Sequence, residues 1–271
     1  MAEWTDGAVR EALGLAADAE RRDVAYTGIA TDTRQLPEGS LFVALRGPNH
    51  DAHDYLEAAA VRGARGAVVE RVPEGAPAGL AYYVVGDTLV ALGELARHRR
   101  RRLGQRICAV TGTVGKTATK NMTAAVLGTR YRVHATAGNL NNLVGAPLTL
   151  LSAPPTAEVV VVEVGTNAPG EIARLAGIVE PDAAVITAVG AGHLEGLGSV
   201  AGVLEEKVSL LRALPPEGVA IVAEEPPELV ARARELAARL RVAGWGERAD
   251  AVLRAESIRL DEEGFASFAW Q

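Results

Sequence analysis

The chain has 271 residues, of which 48% are hydrophobic and 23% charged, and it is long enough for a globular protein of two domains. Its formal net charge of −6 argues against a broad nucleic-acid-binding or membrane-binding surface, because both need an excess of basic residues. Cys108 is the only cysteine, which excludes an internal disulfide and favours a reducing compartment. The N-terminus does not fit a signal peptide and no apolar stretch approaches the length of a membrane span. We therefore expect a cytoplasmic protein without membrane insertion.

The first 86 residues predict a small α/β domain. Short β-rich segments between residues 28 and 47 are interrupted by the sequence PEG at residues 37–39. A helix capped by Asp51 follows, and then a strand from Ala67 to Glu70 and another in AYYVVG, residues 81–86. A helix from Asp87 to Leu103 is expected to lead into a second domain, which takes up residues 87–271. Its arginine run at residues 99–102 is interpreted as a solvated helix end.

From residue 106 onward, apolar strands alternate with helices. Strands with little alternation of polarity, separated by helices, indicate a mostly parallel sheet that is covered on both faces. The last segment, residues 249–271, predicts two strands joined at residues 261–264, without a closing helix. The predicted strands of the sheet are Arg106–Val110, Tyr131–Ala135, Val159–Val164, Ala183–Ala188 and Val219–Ala223, and the predicted helices are Lys116–Leu127, Gly170–Ile178, Val200–Ala213 and Pro227–Leu240.

A glycine-rich turn joins the first of these strands to the first helix. In the sequence TGTVGKT at residues 111–117, Lys116 and Thr117 directly follow Gly115. Glycines let backbone N–H groups turn towards phosphate oxygens, and a helix N-terminus adds partial positive charge. Lys116 can reach the β- and γ-phosphates of a nucleotide, and the hydroxyl of Thr117 is placed for a magnesium ion. The turn departs from the pattern GxxxxGK[ST], because Thr111 replaces the first glycine, so a tight strand–helix turn is the alternative interpretation.

Other polar residues lie where ligands bind in such sheets. Glu163 ends a buried strand, where a carboxylate can hold magnesium, and His193 lies in a glycine-rich loop after the next strand. Taken alone, each also has an ordinary interpretation: an exposed glutamate, an incidental histidine and, for Lys207, a surface helix lysine. The loop GNLNN at residues 138–142 contains three asparagines, which can cap the following helix or bind a polar ligand.

Four segments, in this order and at these intervals, resemble the Mur ligase family: TGTVGKTATK, GNLNNLVGAPLTLL, VEVGTNAPGEI and GHLEGLGS. Residues 31–59, TDTRQLPEGSLFVALRGPNHDAHDYLEAA, resemble the uridine-nucleotide-binding segment of the same family. The resemblance covers nearly the whole chain. The GNLNN and GTNAPGEI segments are most similar to the members that join D-alanyl-D-alanine to UDP-N-acetylmuramoyl-tripeptide.

The resemblance implies an ATP-dependent ligase of peptidoglycan-precursor synthesis. In this family the terminal carboxylate of the substrate takes the γ-phosphoryl group of ATP, and the amine of D-alanyl-D-alanine attacks the resulting acyl phosphate, with two magnesium ions present. The implied fold is an N-terminal α/β domain at residues 1–86, which binds the UDP-sugar, and a P-loop-type central domain with a mostly parallel sheet. We expect a monomer that lacks the third, C-terminal domain of the family and that is inactive by itself. The alternatives are a non-catalytic nucleotide-binding fragment, another Mur ligase, or the related folylpolyglutamate synthase.

The resemblance also implies roles for individual residues. The residues implied to bind ATP are Gly112, Thr113, Val114, Gly115, Lys116, Thr117 and Ala118. The implied magnesium ligands are Thr117 and Glu163 for one ion and His193 for the other, and the implied catalytic residues are Lys116, His193 and Lys207, the last as a carbamate. The residues implied to lie near the substrates are Asp32, Thr33, Arg34 and Ser40 for the uridine nucleotide, and Asn139 and Asn142 in the central domain.

Overall fold

The structure is a computed structural model that describes residues 4–18, 24–47, 49–192, 194–244, 255–263 and 266–270. The chain divides into two compact units. The first comprises Met1–Leu103 and Leu150–Ser152, and the second comprises Gly104–Thr149 and Ala153–Gln271. Within the described ranges, no helix combines the length and the apolar character needed to cross a membrane.

The first unit is built on a small parallel sheet of four strands, in the order Ile29–Ala30, Leu41–Val43, Gly66–Val69 and Ala81–Val84. Its core is formed by Phe42, Leu56 and Val69 together with other apolar residues around them. The two strands predicted after the Asp51 cap are present, each within a residue or two of its expected bounds. The strands are β1 (Trp4–Thr5), β2 (Ala25–Tyr26), β3 (Ile29–Ala30), β4 (Leu41–Val43), β5 (Arg46–Gly47), β6 (His50–Asp51), β7 (Gly66–Val69) and β8 (Ala81–Val84), and the helices are α1 (Asp6–Leu13), α2 (Leu56–Val61) and α3 (Thr88–Leu103), with 3-10 turns at Thr33–Gln35 and Ala52–Tyr55.

Helix α3 belongs to the first unit. Its buried residues include Leu92 and Leu95, and it packs against α1. The imidazole of His98 on this helix lies 5.9 Å from the indole of Trp4, measured between ring centroids. The compact units therefore divide after Leu103, later in the chain than the predicted boundary at residue 86, because the apolar face of the helix is buried within the first unit.

The second unit contains a six-stranded parallel sheet, in the order Val133–Ala135, Val159–Glu163, Arg106–Thr111, Ala183–Ile186, Val219–Ala223 and Arg239–Ala243. The predicted α/β class with a mostly parallel central sheet is confirmed. The strands are β9 (Arg106–Thr111), β10 (Val133–Ala135), β11 (Val159–Glu163), β12 (Ala183–Ile186), β13 (Val219–Ala223), β14 (Arg239–Ala243), β15 (Ala255–Leu260) and β16 (Ala266–Trp270), and the helices are α4 (Lys116–Gly128), α5 (Gly145–Ser152), α6 (Glu171–Val179), α7 (Leu194–Leu197), α8 (Val200–Val208) and α9 (Pro227–Leu236), with a 3-10 turn at Ser209–Ala213.

Two of the predicted helices end earlier than the sequence indicates. The helix predicted over Val200–Ala213 is α-helical only to Val208 and continues as a 3-10 turn. The helix predicted over Pro227–Leu240 ends at Leu236. The last two residues of the predicted range, Arg239 and Leu240, instead begin β14, which pairs in parallel with β13. The backbone leaves the helical region at Ala237, with φ −120° and ψ 124°, and Val242 becomes buried in the sheet. The two predicted C-terminal strands are confirmed as the antiparallel pair β15 and β16.

Candidate active site

The glycine-rich turn lies at the carboxyl end of β9, between its neighbours β11 and β12 in the sheet. Gly112 has φ +153° and Gly115 has φ +81°, values that residues with a side chain rarely adopt. A Cβ atom at Gly112 would overlap the hydroxyl oxygen of Thr187, and it would lie 3.1 Å from the backbone nitrogen of Ala188. Two glycines are therefore needed, one for the close approach to the end of β12 and both for the backbone conformation.

The segment after β12 holds the turn in place. The N–H of Thr113 donates to the carbonyl oxygen of Ala188 at 2.8 Å, and the hydroxyl of Thr187 donates to the carbonyl oxygen of Val114 at 2.6 Å. The N–H of Gly190 donates to the hydroxyl oxygen of Thr113 at 3.1 Å. These bonds fix the backbone that precedes α4.

Helix α4 begins directly at Lys116, with Gly115 as its N-cap. The first N–H groups of an α-helix have no intrahelical acceptor and can donate to an anion. The ammonium of Lys116 is half-buried and donates to the carbonyl oxygens of Gly112 at 2.9 Å and Thr113 at 3.2 Å. Thr117 and Ala118 are exposed. This arrangement offers backbone donors, one cation and one hydroxyl to a phosphate group.

Glu163 lies at the carboxyl end of β11, beside the turn in the sheet. Its side chain is only 1% exposed, so it is not the exposed strand-end glutamate that the sequence alone allows. Its Oε1 accepts a hydrogen bond from the Nδ2 of Asn141 at 2.8 Å. Its Oε2 is buried and has no hydrogen-bond partner among the residues that the structure describes. A buried carboxylate oxygen without a partner is unfavourable, and a cation bound there would satisfy it.

The donor set fits a magnesium ion bound together with a nucleotide. Within the described ranges, no group of three His, Cys, Asp or Glu side chains could hold a metal ion. Magnesium in nucleotide sites is held by one or two protein oxygens, with phosphate and water oxygens completing the shell. Glu163 Oε2 and the Thr117 hydroxyl are oxygens of this kind at the same edge of the sheet.

Lys207 on α8 is buried, with 1% of its surface exposed, and is not the surface helix lysine that its sequence context indicates. Burial, and to a lesser extent the positive charge of Lys116, lower the pKa of its ammonium to about 8, with Glu206 acting in the opposite direction. Glu206 itself accepts hydrogen bonds from the N–H groups of Gly170 at 2.7 Å and Ile172 at 2.8 Å, at the start of α6. Lys207 is therefore electrostatically coupled to Lys116 at the start of α4.

The other residues predicted for the central domain differ in their placement. His193 lies outside the described residues. Asn139 is exposed in the loop before α5. The Oδ1 of Asn142 accepts hydrogen bonds from the N–H groups of Val144 at 3.1 Å and Gly145 at 2.8 Å, so this side chain caps α5, one of the two roles that the sequence left open. Its predicted contact with a substrate stays a prediction.

In the first unit, Asp32, Thr33 and Arg34 line a cavity of about 450 Å³. Arg34 is 84% exposed and is paired with Asp32, with 2.7 Å between Nη2 and Oδ2. The rings of His50 and Tyr55 are stacked at the same cavity, with centroids 5.0 Å apart.

Ser40 does not belong to this group. It is fully buried, and its hydroxyl donates to the carbonyl oxygen of Pro37 in the turn before β4. It is absent from the residues that line the cavity. The structure therefore brings together three of the four residues predicted for the uridine nucleotide, because the hydroxyl of the fourth is engaged in its own turn.

Sequence reasoning missed two polar residues at the phosphate loop. Asn141 is the hydrogen-bond partner of Glu163, whereas the residues of this loop that the resemblance implies near the substrate are Asn139 and Asn142. Lys120, one helical turn after Lys116, is 3% exposed and donates to the carbonyl oxygens of Thr136 at 2.7 Å and Gly138 at 3.4 Å. The only sequence signal for Lys120 is that it lies four residues after Lys116, on the same face of α4. This signal is weak, because helix lysines are usually exposed.

Comparison with known proteins gives relatives over most of the chain. The family model described as the Mur ligase middle domain matches residues 110–271. The chain is 42% identical over 214 residues to the UDP-N-acetylmuramoyl-tripeptide–D-alanyl-D-alanine ligase of Bacillus subtilis (strain 168), a match that covers 79% of this chain and 47% of the relative. It is also 42% identical over 200 residues to the ligase of the same name from Escherichia coli (strain K12), covering 74% of this chain and 44% of the relative. The chain thus spans about half the length of the curated relatives that it matches.

Solved structures give the same result for the fold. A crystal structure of MurF from Acinetobacter baumannii superposes with a TM-score of 0.83 at 31% identity, covering 98% of this chain and 60% of that one. A MurF ligase from Thermotoga maritima in complex with ADP superposes with a TM-score of 0.79 at 27% identity, covering 89% of this chain and 55% of that one. Because the family model covers residues 110–271, more than half of the chain's length, the chain belongs to the Mur ligase family.

Proposed function

We propose that the chain carries the substrate-binding and nucleotide-binding domains of an ATP-dependent ligase that joins D-alanyl-D-alanine to UDP-N-acetylmuramoyl-tripeptide in peptidoglycan-precursor synthesis, in the cytoplasm and as a monomer. The observation that carries this proposal is the convergence of the phosphate loop, Lys116 and the buried carboxylate of Glu163 at one edge of the central sheet. Support comes from the 42% identity to ligases of this name. The complex of the Thermotoga maritima relative with ADP supports the nucleotide.

In this proposal the phosphates of ATP bind to the residues from Gly112 to Ala118. The N–H groups at the start of α4 donate to phosphate oxygens, and the ammonium of Lys116 exchanges its loop carbonyls for the β- and γ-phosphates. Thr117 and Glu163 hold a magnesium ion. When bound, the ion neutralises phosphate charge that would otherwise repel the substrate carboxylate. The carboxylate then attacks the γ-phosphorus, ADP leaves, and the amine of D-alanyl-D-alanine displaces phosphate from the acyl phosphate.

Lys207 and His193 are proposed to serve a second magnesium ion, with Lys207 as a carbamate. A neutral amine adds to carbon dioxide and loses a proton, which converts a cation into an anion. The lowered pKa of about 8 supports this role, because a substantial fraction of the amine is then neutral near physiological pH. An ordinary lysine would be almost fully protonated there.

The cavity of the first unit is proposed to bind the uridine nucleotide. The guanidinium of Arg34 matches a phosphate bidentately, and Asp32 and Thr33 line the same cavity. Ser40 is not assigned a contact, because its hydroxyl is engaged with Pro37. Asn139, exposed in the loop before α5, and Asn142 are both proposed to lie near the substrate.

Residues 1–271 by themselves are proposed to bind nucleotide with little turnover. Bringing carboxylate, γ-phosphate and amine together can lower the activation barrier of such reactions by roughly 7–11 kcal/mol. The relatives are about twice as long as the matched region, so their remaining part is available to help position these groups. Exclusion of water from the acyl phosphate also depends on closure of the site.

The test is ADP release with ATP, magnesium, UDP-N-acetylmuramoyl-tripeptide and D-alanyl-D-alanine, measured for residues 1–271 and for the same chain extended by a third domain. Turnover that appears only with both cosubstrates, and mainly in the extended chain, supports the proposal. Turnover with glutamate and a folate would instead identify a folylpolyglutamate synthase activity. ATP binding without turnover in both proteins would favour a non-catalytic nucleotide-binding module.

A further inference from the structure

Asn141 makes the only hydrogen bond to the side chain of Glu163 within the described part of the chain. Its Nδ2 donates to Oε1 at 2.8 Å, while Oε2 is buried without a partner. The backbone of Glu163 is fixed as well, because its N–H donates to the hydroxyl oxygen of Thr136 at 2.9 Å. One carboxylate oxygen is therefore occupied by an amide, and the other is available to a cation.

The position of Asn141 is itself determined by its backbone. The N–H of Gly165, two residues after Glu163, donates to the carbonyl oxygen of Asn141 at 2.8 Å. The N–H of Asn141 donates to the carbonyl oxygen of Asn139, also at 2.8 Å. A Cβ atom at Gly165 would lie 2.8 Å from the Cγ of Asn141, so the amide is seated directly against the backbone after β11.

The loop that carries Asn141 is tied to α4. Lys120 donates to the carbonyl oxygens of Thr136 and Gly138, at the two ends of the segment between β10 and the asparagines. The hydroxyl of Thr136 then accepts from the N–H of Glu163. Helix α4 and the strand that ends at Glu163 are thus connected through Thr136, just before the GNLNN loop at residues 138–142.

We propose that Asn141 is a positioning residue for the nucleotide-bound magnesium ion, acting through Glu163. An amide can donate to a carboxylate but cannot repel the cation as a second positive charge would, so Asn141 fixes the carboxylate while preserving its negative charge. Without it, Oε1 becomes a second buried oxygen without a partner among the described residues, and the carboxylate rotates towards other hydrogen-bond donors or water. Hydrogen bonds of this kind to a metal ligand typically change metal affinity by about 10–100-fold. The inference rests on the proposed nucleotide site.

The test compares the magnesium dependence of ADP binding between the wild-type 271-residue chain and its variants, and it is measured by calorimetry. The wild type, Asn141→Ala, Glu163→Gln and the double variant are titrated with ADP over a range of magnesium concentrations and in EDTA. We expect the magnesium concentration for half-maximal ADP binding to rise about 10–100-fold in Asn141→Ala, with ADP affinity in EDTA unchanged. The double variant is expected to match Glu163→Gln, because two residues that act through one contact do not have additive effects.

Two further variants separate positioning from a general loss of stability. Asn141→Gln keeps the carboxamide but displaces it by one methylene, and it should raise the magnesium requirement while the protein stays folded. Asp87→Ala removes the side chain that accepts from the N–H groups of Leu89 and Val90 at the start of α3, and it should lower the melting temperature without changing the magnesium requirement. An equal rise of the magnesium requirement in the Asn141 and Asp87 variants, or a loss of ADP affinity in EDTA as large as that in magnesium, would overturn the positioning role.

Failure of the proposed function has a different signature. A wild-type chain that binds no ADP with or without magnesium contradicts the nucleotide site itself, and the positioning role with it. Magnesium-dependent binding by the wild type, together with an unchanged magnesium requirement in Asn141→Ala, overturns the positioning role alone.

Discussion

The ammonium of Lys116 lies 2.9 Å from the carbonyl oxygen of Gly112, at the other end of the turn that the lysine follows. The side chain thereby closes over its own loop, with a second hydrogen bond to the carbonyl oxygen of Thr113. A phosphate that binds to the loop would replace these two neutral acceptors of Lys116 with charged oxygens. Hydrogen bonds that involve charged groups are roughly twice as strong as those between neutral groups.

Replacing Lys116 by alanine is therefore expected to weaken ADP binding. Loss of one charged contact to phosphate costs on the order of 1.5–3 kcal/mol, or about 10–150-fold in affinity. Isothermal titration calorimetry in the presence of magnesium measures this change. Arg130→Ala, which removes the same charge at the far end of α4, is the control and should bind ADP like the wild type. Equal affinities in wild type and Lys116→Ala would contradict the phosphate-loop assignment.

A methyl group at Gly112 should disrupt the loop. The added Cβ would overlap the hydroxyl of Thr187, and φ at this position is +153°. We expect Gly112→Ala to destabilise the protein by roughly 1–3 kcal/mol and to abolish ADP binding. Urea denaturation and calorimetry test both effects.

The matched control is Gly177→Ala in α6, where an added Cβ meets no atom within 4 Å. Alanine in a helix is about 0.5–1 kcal/mol more favourable than glycine, so this variant should be slightly more stable than the wild type. If the two alanine variants behaved alike, the close approach at Gly112 would not matter to the fold.

Removal of the Lys207 charge is expected to stabilise the protein at neutral pH. The pKa falls from 10.5 in the unfolded chain to about 8 in the folded one, so between these values the unfolded chain binds more protons and stability rises with pH. The free energy of unfolding of Lys207→Met should therefore exceed that of the wild type by up to about 3 kcal/mol at pH 7, and this difference should narrow towards pH 10. Chemical denaturation of both proteins in buffers free of carbon dioxide measures it. A difference that stays constant from pH 7 to pH 10 would show that the ammonium is not the cause.

In the first unit, Arg34→Ala should weaken binding of UDP. The guanidinium is exposed at the cavity and its pairing with Asp32 sets its direction. An NMR titration with UDP is the measurement, with Arg71→Ala, which removes an exposed arginine paired with Asp51, as the control. Chemical shifts that respond to UDP identically in the two variants would remove Arg34 from the site.

The same variant should change the titration of Asp32. Hydrogen bonds from the side chain and backbone of Arg34 hold the pKa of Asp32 at about 2, below its ordinary value of 3.8. With alanine at position 34 the side-chain donor is lost, and the pKa is expected to rise towards 3.8 while the backbone bond keeps it somewhat lower. Carboxyl carbon NMR follows this titration, and an unchanged pKa would show that the ion pair is absent in solution.

The central sheet could be predicted from the sequence because its strands are short, apolar runs between helices with clear starts. β13 is found at its predicted bounds, and α4 begins at the predicted residue. β14 could not be predicted, since RLRVA continues the helical pattern of α9 and becomes a strand only by pairing with β13. Its conformation is decided by tertiary contact rather than by local preference.

The positions in the fold of some candidate-site residues could also be predicted, because they depend on local sequence. Lys116, Thr117 and Glu163 occupy positions that a strand end or helix start determines, so local sequence was sufficient. The burial of Lys207 depends on the elements that surround α8, and Asn141 is distinguished from its neighbours only by reaching Glu163 across the sheet edge. Neither property is encoded in nearby residues.

The electrostatic coupling between Lys116 and Lys207 makes anion binding and proton binding one linked equilibrium. Lys116 contributes to the low pKa of Lys207, so a phosphate chain that neutralises Lys116 is expected to raise that pKa. In buffer free of carbon dioxide near pH 8, we therefore expect nucleotide binding to be accompanied by uptake of a fraction of a proton. The observed heat of binding then depends on the ionisation enthalpy of the buffer, and nucleotide affinity declines as the pH rises through this range.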